Sequence, residues 1–208
     1  MSSPLRPYEP RDRDALYDVC LRTADGGGDA TALYDDPRLL GDVWVGPYVT
    51  FEPELALVLD DGSGPGGYVL GALDTRAFEA RCAREWWPAL RRAHPLDGAG
   101  RVEGGGMAED GPDARAVALL HRPPISPDSV VRSHPSHLHI DLLPQWQGGG
   151  WGRRLIAELL QRLSAAGSPG VHLGVSADNV RARGFYAHLG FTELHVVEGT
   201  HFLGRSTR

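Results

Sequence analysis

Between Pro144 and Leu163 the chain reads PQWQGGGWGRRLIAELLQRL. Three consecutive glycines, one residue, a fourth glycine and two arginines lead into apolar residues at helical spacing. The preceding HLHIDLLP reads as a strand that stops at Pro144, and the run beyond the glycines predicts a helix from about Gly152. A strand therefore hands over to a helix through a loop almost free of side chains. At such a junction the first helical amides point outward unpaired, and the helix dipole adds partial positive charge, which suits an anion. Arg153 and Arg154 in the first turn oppose that dipole, a placement that makes more sense beside negative charge. The same residues also fit a glycine-rich turn with solvated arginines, and this segment alone does not separate the two.

Two familiar phosphate loops are excluded. GxxxxGK[ST] needs a lysine, and the chain has none, its 21 fixed positive side chains all being arginine. GxGxxG needs a third glycine where Leu155 stands. The formal net charge of −6 argues against nucleic acid as a partner and tolerates a cationic, amine-bearing one. No stretch has the apolar length of a membrane span and no leader precedes the first charged segment, so no membrane partner and a cytoplasmic location are expected. Cys20 and Cys82 form no CxxC pattern and read as reduced and buried. With 208 residues the expectation is one domain over 1–208.

Along the chain, PLRPYEPRDRDALYDVCLRT reads as a short strand and a helix capped by Asp12 or Asp14, with Leu16, Val19, Cys20 and Thr23 on one face. ADGGGDAT is a flexible connection, and DPRLLGDVWVGPYV a short helix broken by glycine and proline. The segments Leu55–Leu59 and Tyr68–Leu73 flank a turn and predict a hairpin. A helical and loop insertion is expected at about 75–135: a helix that Pro88 bends or ends, a glycine-rich loop, and a second helix near Ala114–Leu120. In the last third VHLGVS, FTELHVVE and THFLGRS are strands, the last closing the sheet, and DNVRARGFYAHLG is a helix. Alternating strands and helices favour an α/β layer with a partly parallel sheet.

PQWQGGGWG resembles the pyrophosphate loop of the GNAT N-acetyltransferase superfamily, Q/R-x-x-G-x-G/A, with Gln147, Gly150 and Gly152 at its defining positions. NVRARGFYAHLGF, from Asn179 to Phe191, is similar to the family's second signature, an asparagine followed by FY-x-x-x-GF. LRPYEPRDRDALYDVCLRT, GGYVLGALDT, HPSHLHIDLL and HFLGRS further resemble segments of one subgroup, the acetyltransferase-like C-terminal domain of eukaryotic O-GlcNAcase. That domain lacks a recognisable glycine-rich loop, whereas this chain has one. No glycoside hydrolase module is seen, so no hexosaminidase activity is expected.

The resemblance implies a GNAT fold: a mixed, mostly antiparallel sheet of about seven strands with splayed central parallel strands, flanked by helices. It implies acetyl-CoA as cosubstrate in the gap between the Ile140–Leu143 and Val171–Val175 strands. Main-chain groups of Leu142 and Leu143 would bind the pantetheine arm. Gln147 and the loop Gly148, Gly149, Gly150, Trp151 and Gly152 would hold the pyrophosphate, with Arg153 and possible help from Arg154 adding charge. Asn179 would orient the pantetheine arm or the helix start. Tyr186 would act on the departing sulfur, the alternative being a half-buried packing residue. The implied reaction is direct acetyl transfer to a primary amine, by a monomer or homodimer; the alternative is a coenzyme A-binding module that senses or scaffolds with little turnover.

A base must take the amine's proton. His137, His139 and Asp141 alternate along one strand and so share a face. Asp141 is the first choice because it is nearest the implied carbonyl position, with His139, His137 or water as alternatives and an ordinary surface cluster as the bland one. His134, His137 and His139 have a spacing zinc accepts, but no cysteine or fourth ligand stands nearby and no metal is expected. Of Trp86 and Trp87, one should be core, and the other either core or part of an acceptor pocket.

Overall fold

Ala56–Leu59 is apolar without alternation, a pattern that suits a strand covered on both faces. The computed structural model, which describes residues 4–97 and 111–208, has that arrangement. Its strands are β1 (Leu5–Pro7), β2 (Ala56–Asp60), β3 (Pro65–Ala72), β4 (Ser136–Leu142), β5 (Gly170–Ser176), β6 (Thr192–Val197) and β7 (Thr200–Ser206). Among the described residues these seven form one sheet in the order β1-β2-β3-β4-β5-β7-β6. Neighbours are antiparallel except β4 and β5, which are parallel. The expected hairpin is present, with Leu57 opposite Val69 and Val58 opposite Tyr68.

The helices are α1 (Arg13–Leu21), α2 (Leu39–Trp44), α3 (Gly46–Phe51), α4 (Thr75–Arg81), α5 (Trp87–Ala93), α6 (Pro112–His121), α7 (Asp128–Val131), α8 (Trp151–Ala165) and α9 (Val180–His188). Alternate strand residues pack into different cores. Leu57, Leu59, Val69 and Leu138 meet the stripe Leu155, Ile156, Leu159, Leu160 and Leu163 of α8. Each such buried side chain contributes about 1.5–3 kcal/mol and pins the helix to the sheet. Ala56, Val58, Tyr68 and Leu70 face the other way, onto Leu16, Val19 and Cys20 of α1 and onto α2 and α3. Both cysteines are free and buried.

Three expectations are corrected. Asp12 does not cap α1 with its side chain; it accepts from Arg6 Nη1 at 2.7 Å and from Glu9 N at 2.8 Å, because Arg6 on β1 needs a carboxylate there. Of the two outcomes expected for Pro88, bending or ending its helix, the second does not occur. A π-helical turn over Cys82–Trp86 precedes α5, so the proline sits in the first turn of α5, where its missing N–H costs little. β7 does not form the edge of the sheet. A tight turn at Glu198–Gly199, both at positive φ, returns the chain so that β7 lies between β5 and β6 and pairs with β5 from Gly170↔Ser206 to Ser176↔Thr200.

The 75–135 segment contains α4 to α7, with α6 covering the helix expected near 114–120. The glycine-rich loop expected before it falls mostly in 98–110, outside the described residues. Among the described residues no helix is long and apolar enough to cross a membrane.

Candidate functional site

The parallel strands at the centre of the sheet pair at only two positions, Ser136↔Val171 and His137↔His172. Beyond them β4 stays with β3 through Leu142, and β5 stays with β7 through Ser176, so β4 and β5 part. Leu143 N donates to Gly66 O at 2.9 Å. Successive amides of a strand point to opposite edges, so those of Ile140 and Leu142 face the gap.

The gap widens into a cleft of about 560 Å³ lined by Asp141, Leu142, Gly150, Gly152, Val175 and Tyr186, among others. Gly148 and Gly150 have φ of 75° and 78°, a left-handed conformation that side chains resist. Gly150 is the N-cap of α8 and supplies no side-chain cap, and the first amide of the helix bonded back into it is that of Arg154, to Gly150 O at 3.1 Å. The amides of Trp151, Gly152 and Arg153 therefore start without helical acceptors, at the positive end of a 15-residue helix. Gly152 also permits close packing, since a Cβ there would come 2.9 Å from Phe185 Cζ on α9.

Other side chains brace this loop. Gln147 Nε2 donates to Leu142 O at 2.8 Å, while Arg181 Nη2 donates to Gln147 Oε1 at 2.7 Å. The Arg154 guanidinium stacks over Trp151 at 4.6 Å, and Arg153 and Arg181 line the cleft as exposed cations. Asn179 caps α9, its Oδ1 accepting from Ala182 N at 3.0 Å, and also lines the cleft. Tyr186 is buried against Phe191, and burial together with the Asp141 charge raises its hydroxyl well above the usual phenol range.

The structure does not bring Leu143 into the cleft. Its amide is held by Gly66 and its side chain is buried with the core of α1–α3, because it falls on the opposite strand edge to Leu142. Gly149 lies in the exposed loop between Gly148 and Gly150.

His137, His139 and Asp141 do share a face, but their surroundings differ. Tyr68 OH donates to Asp141 Oδ2 at 2.5 Å across the β3–β4 pair. His139 Nε2 lies 3.0 Å from the same oxygen, yet it is buried and makes no hydrogen bond. Trp44 stacks on the His139 ring at 5.6 Å. Cys20, His139 and Asp141 have potential ligand atoms within 4.8 Å of one another, whereas the HPSHLH histidines do not gather. Burial pushes the Cys20 thiol far above its ordinary value, an unfavourable state for a metal ligand. His137 contacts Thr75 Oγ1 through Nδ1 at 2.8 Å, and burial beside His172 pushes it down to about 3. It borders a second cavity rather than the cleft.

That second cavity, of about 360 Å³, opens from the other side of the splay and shares His139, Leu173 and Val175 with the cleft. Trp87 lines it, while Trp86 packs on Phe51 and donates from Nε1 to Asp42 O at 2.9 Å. Sequence reasoning missed Arg181, Tyr68 and Trp44. Arg181 had a legible signal in its place two residues after the cap of α9; Tyr68 and Trp44 had none, since only tertiary pairing brings them to the site.

Comparison with known proteins agrees with this fold. The model of the acetyltransferase (GNAT) family matches residues 117–191, which include the strand, glycine loop and Tyr186 helix just described. The crystal structure of SsHAT is similar with a TM-score of 0.88 and 44% identity, covering 98% of this chain and 98% of that one. Protein O-GlcNAcase of Rattus norvegicus is 28% identical over 196 residues, 94% of this chain but 20% of the relative, so the chain spans about a fifth of that protein's length. A GNAT superfamily phosphinothricin acetyltransferase from Sinorhizobium meliloti, in complex with AcCoA, shares the fold at a TM-score of 0.55 and 14% identity, with 99% of this chain and 89% of that chain covered.

Proposed function

The chain belongs to the acetyltransferase (GNAT) family, and from that premise we propose that it transfers the acetyl group of acetyl-CoA to a primary amine. One observation carries the proposal: the parallel ladder ends at His137↔His172, and an uncapped helix N-terminus behind a glycine loop borders the gap beyond. The fit is chemical. Bare amides and two exposed arginines suit a diphosphate, and the Ile140–Leu142 edge suits the amides of a pantetheine arm. The amides of residues 148–153 hold the diphosphate, with Arg153 and Arg181 adding charge.

Acetyl-CoA supplies an activated thioester. The amine nitrogen bonds to its carbonyl carbon, the carbon–sulfur bond breaks, and the amine loses a proton. Leu142 N–H faces the carbonyl oxygen as negative charge grows there. Tyr186, kept protonated by burial, donates to the departing sulfur. An alkylamine has a pKa of about 10 and arrives mostly protonated. Asp141, fixed by Tyr68, takes that proton directly or through His139.

Thiol release from acetyl-CoA, measured over a panel of amines and peptides with Tyr186→Phe alongside, tests this reading. Amine-dependent release that slows in the variant supports it. Calorimetric binding of acetyl-CoA without release for any acceptor replaces it with a sensing or scaffolding module.

A further inference from the structure

We infer that the second cavity is the acceptor subsite and that it takes a small primary amine carried on an aromatic ring by a short, uncharged chain. The inference rests on the acetyl-transfer reading and names its substrate class.

The shape comes first. The cavity meets the cleft at the splay, where Leu138, His139 and the Leu173–Ser176 run of β5 line both. A molecule in it therefore reaches the thioester position from the side opposite the glycine loop. A benzene ring fills roughly 150 Å³ of dry cavity. The space of about 360 Å³ thus accommodates one or two fused rings and a chain of a few atoms.

The lining sets the chemistry. Trp44, Tyr48, Phe78, Trp87 and Phe202 contribute rings from five separate elements. Ile125, 61% exposed, adds an apolar edge. Glu79 is the one carboxylate among the lining residues, and it is already engaged: Arg76 Nη1 lies at 2.6 Å and Ser126 N donates to it at 3.0 Å. His137 and His172 are held neutral by burial, pushed down to about 3 and about 4. Among the described lining residues nothing offers a cation to a phosphate or carboxylate, and no free carboxylate awaits a second ammonium. An acceptor bearing either group would lose its hydration without replacement.

Where this apolar space meets the cleft the surface turns polar, His139 lining both and Asp141 lining the cleft. His139 Nε2 and Asp141 Oδ2 stand 3.0 Å apart, yet His139 Nε2 has no hydrogen bond. With the ring proton on Nδ1 both are acceptors, His139 Nε2 without a donor and Asp141 Oδ2 already accepting from Tyr68 OH. An ammonium group at the cleft-lining Asp141 carboxylate has its charge balanced there, with His139 as its neighbour. Trp44, stacked on His139 and lining the cavity, leads from the aromatic region to that point. The amine is then placed beside the two groups that receive its proton.

The test compares kcat/KM for thiol release with 2-phenylethylamine, glutamate, spermidine and an alanine-initiated tripeptide as acceptors. We expect 2-phenylethylamine to exceed each of the others at least about 100-fold, about 2.7 kcal/mol in transition-state stabilisation. Trp87→Leu should raise its KM about tenfold while leaving the Kd of acetyl-CoA within twofold. Because Trp87 is buried, Ile125→Glu serves as the variant that cannot fail through the core; a carboxylate at that exposed position should raise KM severalfold and begin to admit spermidine. Faster turnover of glutamate, spermidine or the peptide, with Ile125→Glu silent, overturns the substrate class but leaves acetyl transfer standing. Acetyl-CoA binding with no turnover of any amine overturns both.

Discussion

One side of the splay is made of main chain and the other of rings. On the cleft side the proposed contacts are the amides of 148–153, the Ile140–Leu142 strand edge and residues of α9's segment such as Arg181 and Tyr186, all between His139 and Tyr186. On the cavity side Trp44, Phe78, Trp87, His172 and Phe202 come from α2, α4, α5, β5 and β7. Main-chain recognition demands absent side chains at fixed positions, so it writes itself into sequence as glycines at a set spacing. A ring-lined cavity demands only bulk and apolarity, which core packing demands as well. The same difference sets how each side should respond to substitution.

The largest effect belongs to the cleft. Gly150→Glu puts a side chain on a residue at φ 78° and a negative charge beside the bare amides. The Kd of acetyl-CoA should rise at least ~100-fold by calorimetry, about 2.7 kcal/mol, against the roughly 1–2 kcal/mol typical of left-handed strain. Gly150→Ala carries the strain without the charge and separates the two. An unchanged Kd in the glutamate variant removes the anion cradle.

Next comes the residue between the two sides. Tyr186→Phe should lower kcat by about 100-fold, within the usual range for a general acid, while the Kd of acetyl-CoA stays put. If kcat is unaltered, Tyr186 only packs against Phe191.

Acid should probe the cavity wall more than the cleft. His137 and His172 have folded pKa values near 3 and 4, below the ordinary value of about 6.5. Unfolding lets both rings take up protons that the folded state refuses, so their contribution is intact above 6.5 and declines as the pH falls towards 4. The Tm should drop over that interval, and His172→Gln should flatten the slope on its acid side. A Tm that holds steady from pH 6.5 to 4.5 contradicts the burial of these two rings in neutral form.

The smallest expected effect separates a cap from a ligand contact. Asn179→Ala removes the bond to Ala182 N and should cost about 1 kcal/mol of stability. Acetyl-CoA affinity should move by less than about threefold. A much larger loss of affinity with an unchanged Tm would instead make Asn179 a contact of the pantetheine arm.

Legibility follows the same division. The strand–glycine–helix unit, the α8 stripe and the β2–β3 hairpin are readable because periodicity and turn chemistry are local. Asn179 as a helix start and the shared face of His137, His139 and Asp141 were readable for the same reason. The edge to which Leu143 points was not, since it depends on the register with Gly66 on β3. Nor was the path of β7, because a strand segment does not say which neighbour it enters beside. Asp12 has the residue type of a helix cap, but Arg6, brought close by β1, claims it. Of Trp86 and Trp87 the sequence leaves one open as core or pocket lining, and only the fold shows which: Trp87 borders the cavity while Trp86 packs on Phe51, and Trp44 carries no such signal.

The central claim is that unpaired main chain at the splay, and not a side-chain pocket, binds the nucleotide end of acetyl-CoA. A crystal structure of the protein with acetyl-CoA tests it most directly. Diphosphate oxygens within about 3.2 Å of the amides of residues 148–153, with the pantetheine running along Ile140–Leu142, is the expected result. A diphosphate bound elsewhere, or a glycine loop closed by packed side chains while acetyl-CoA is bound, contradicts it.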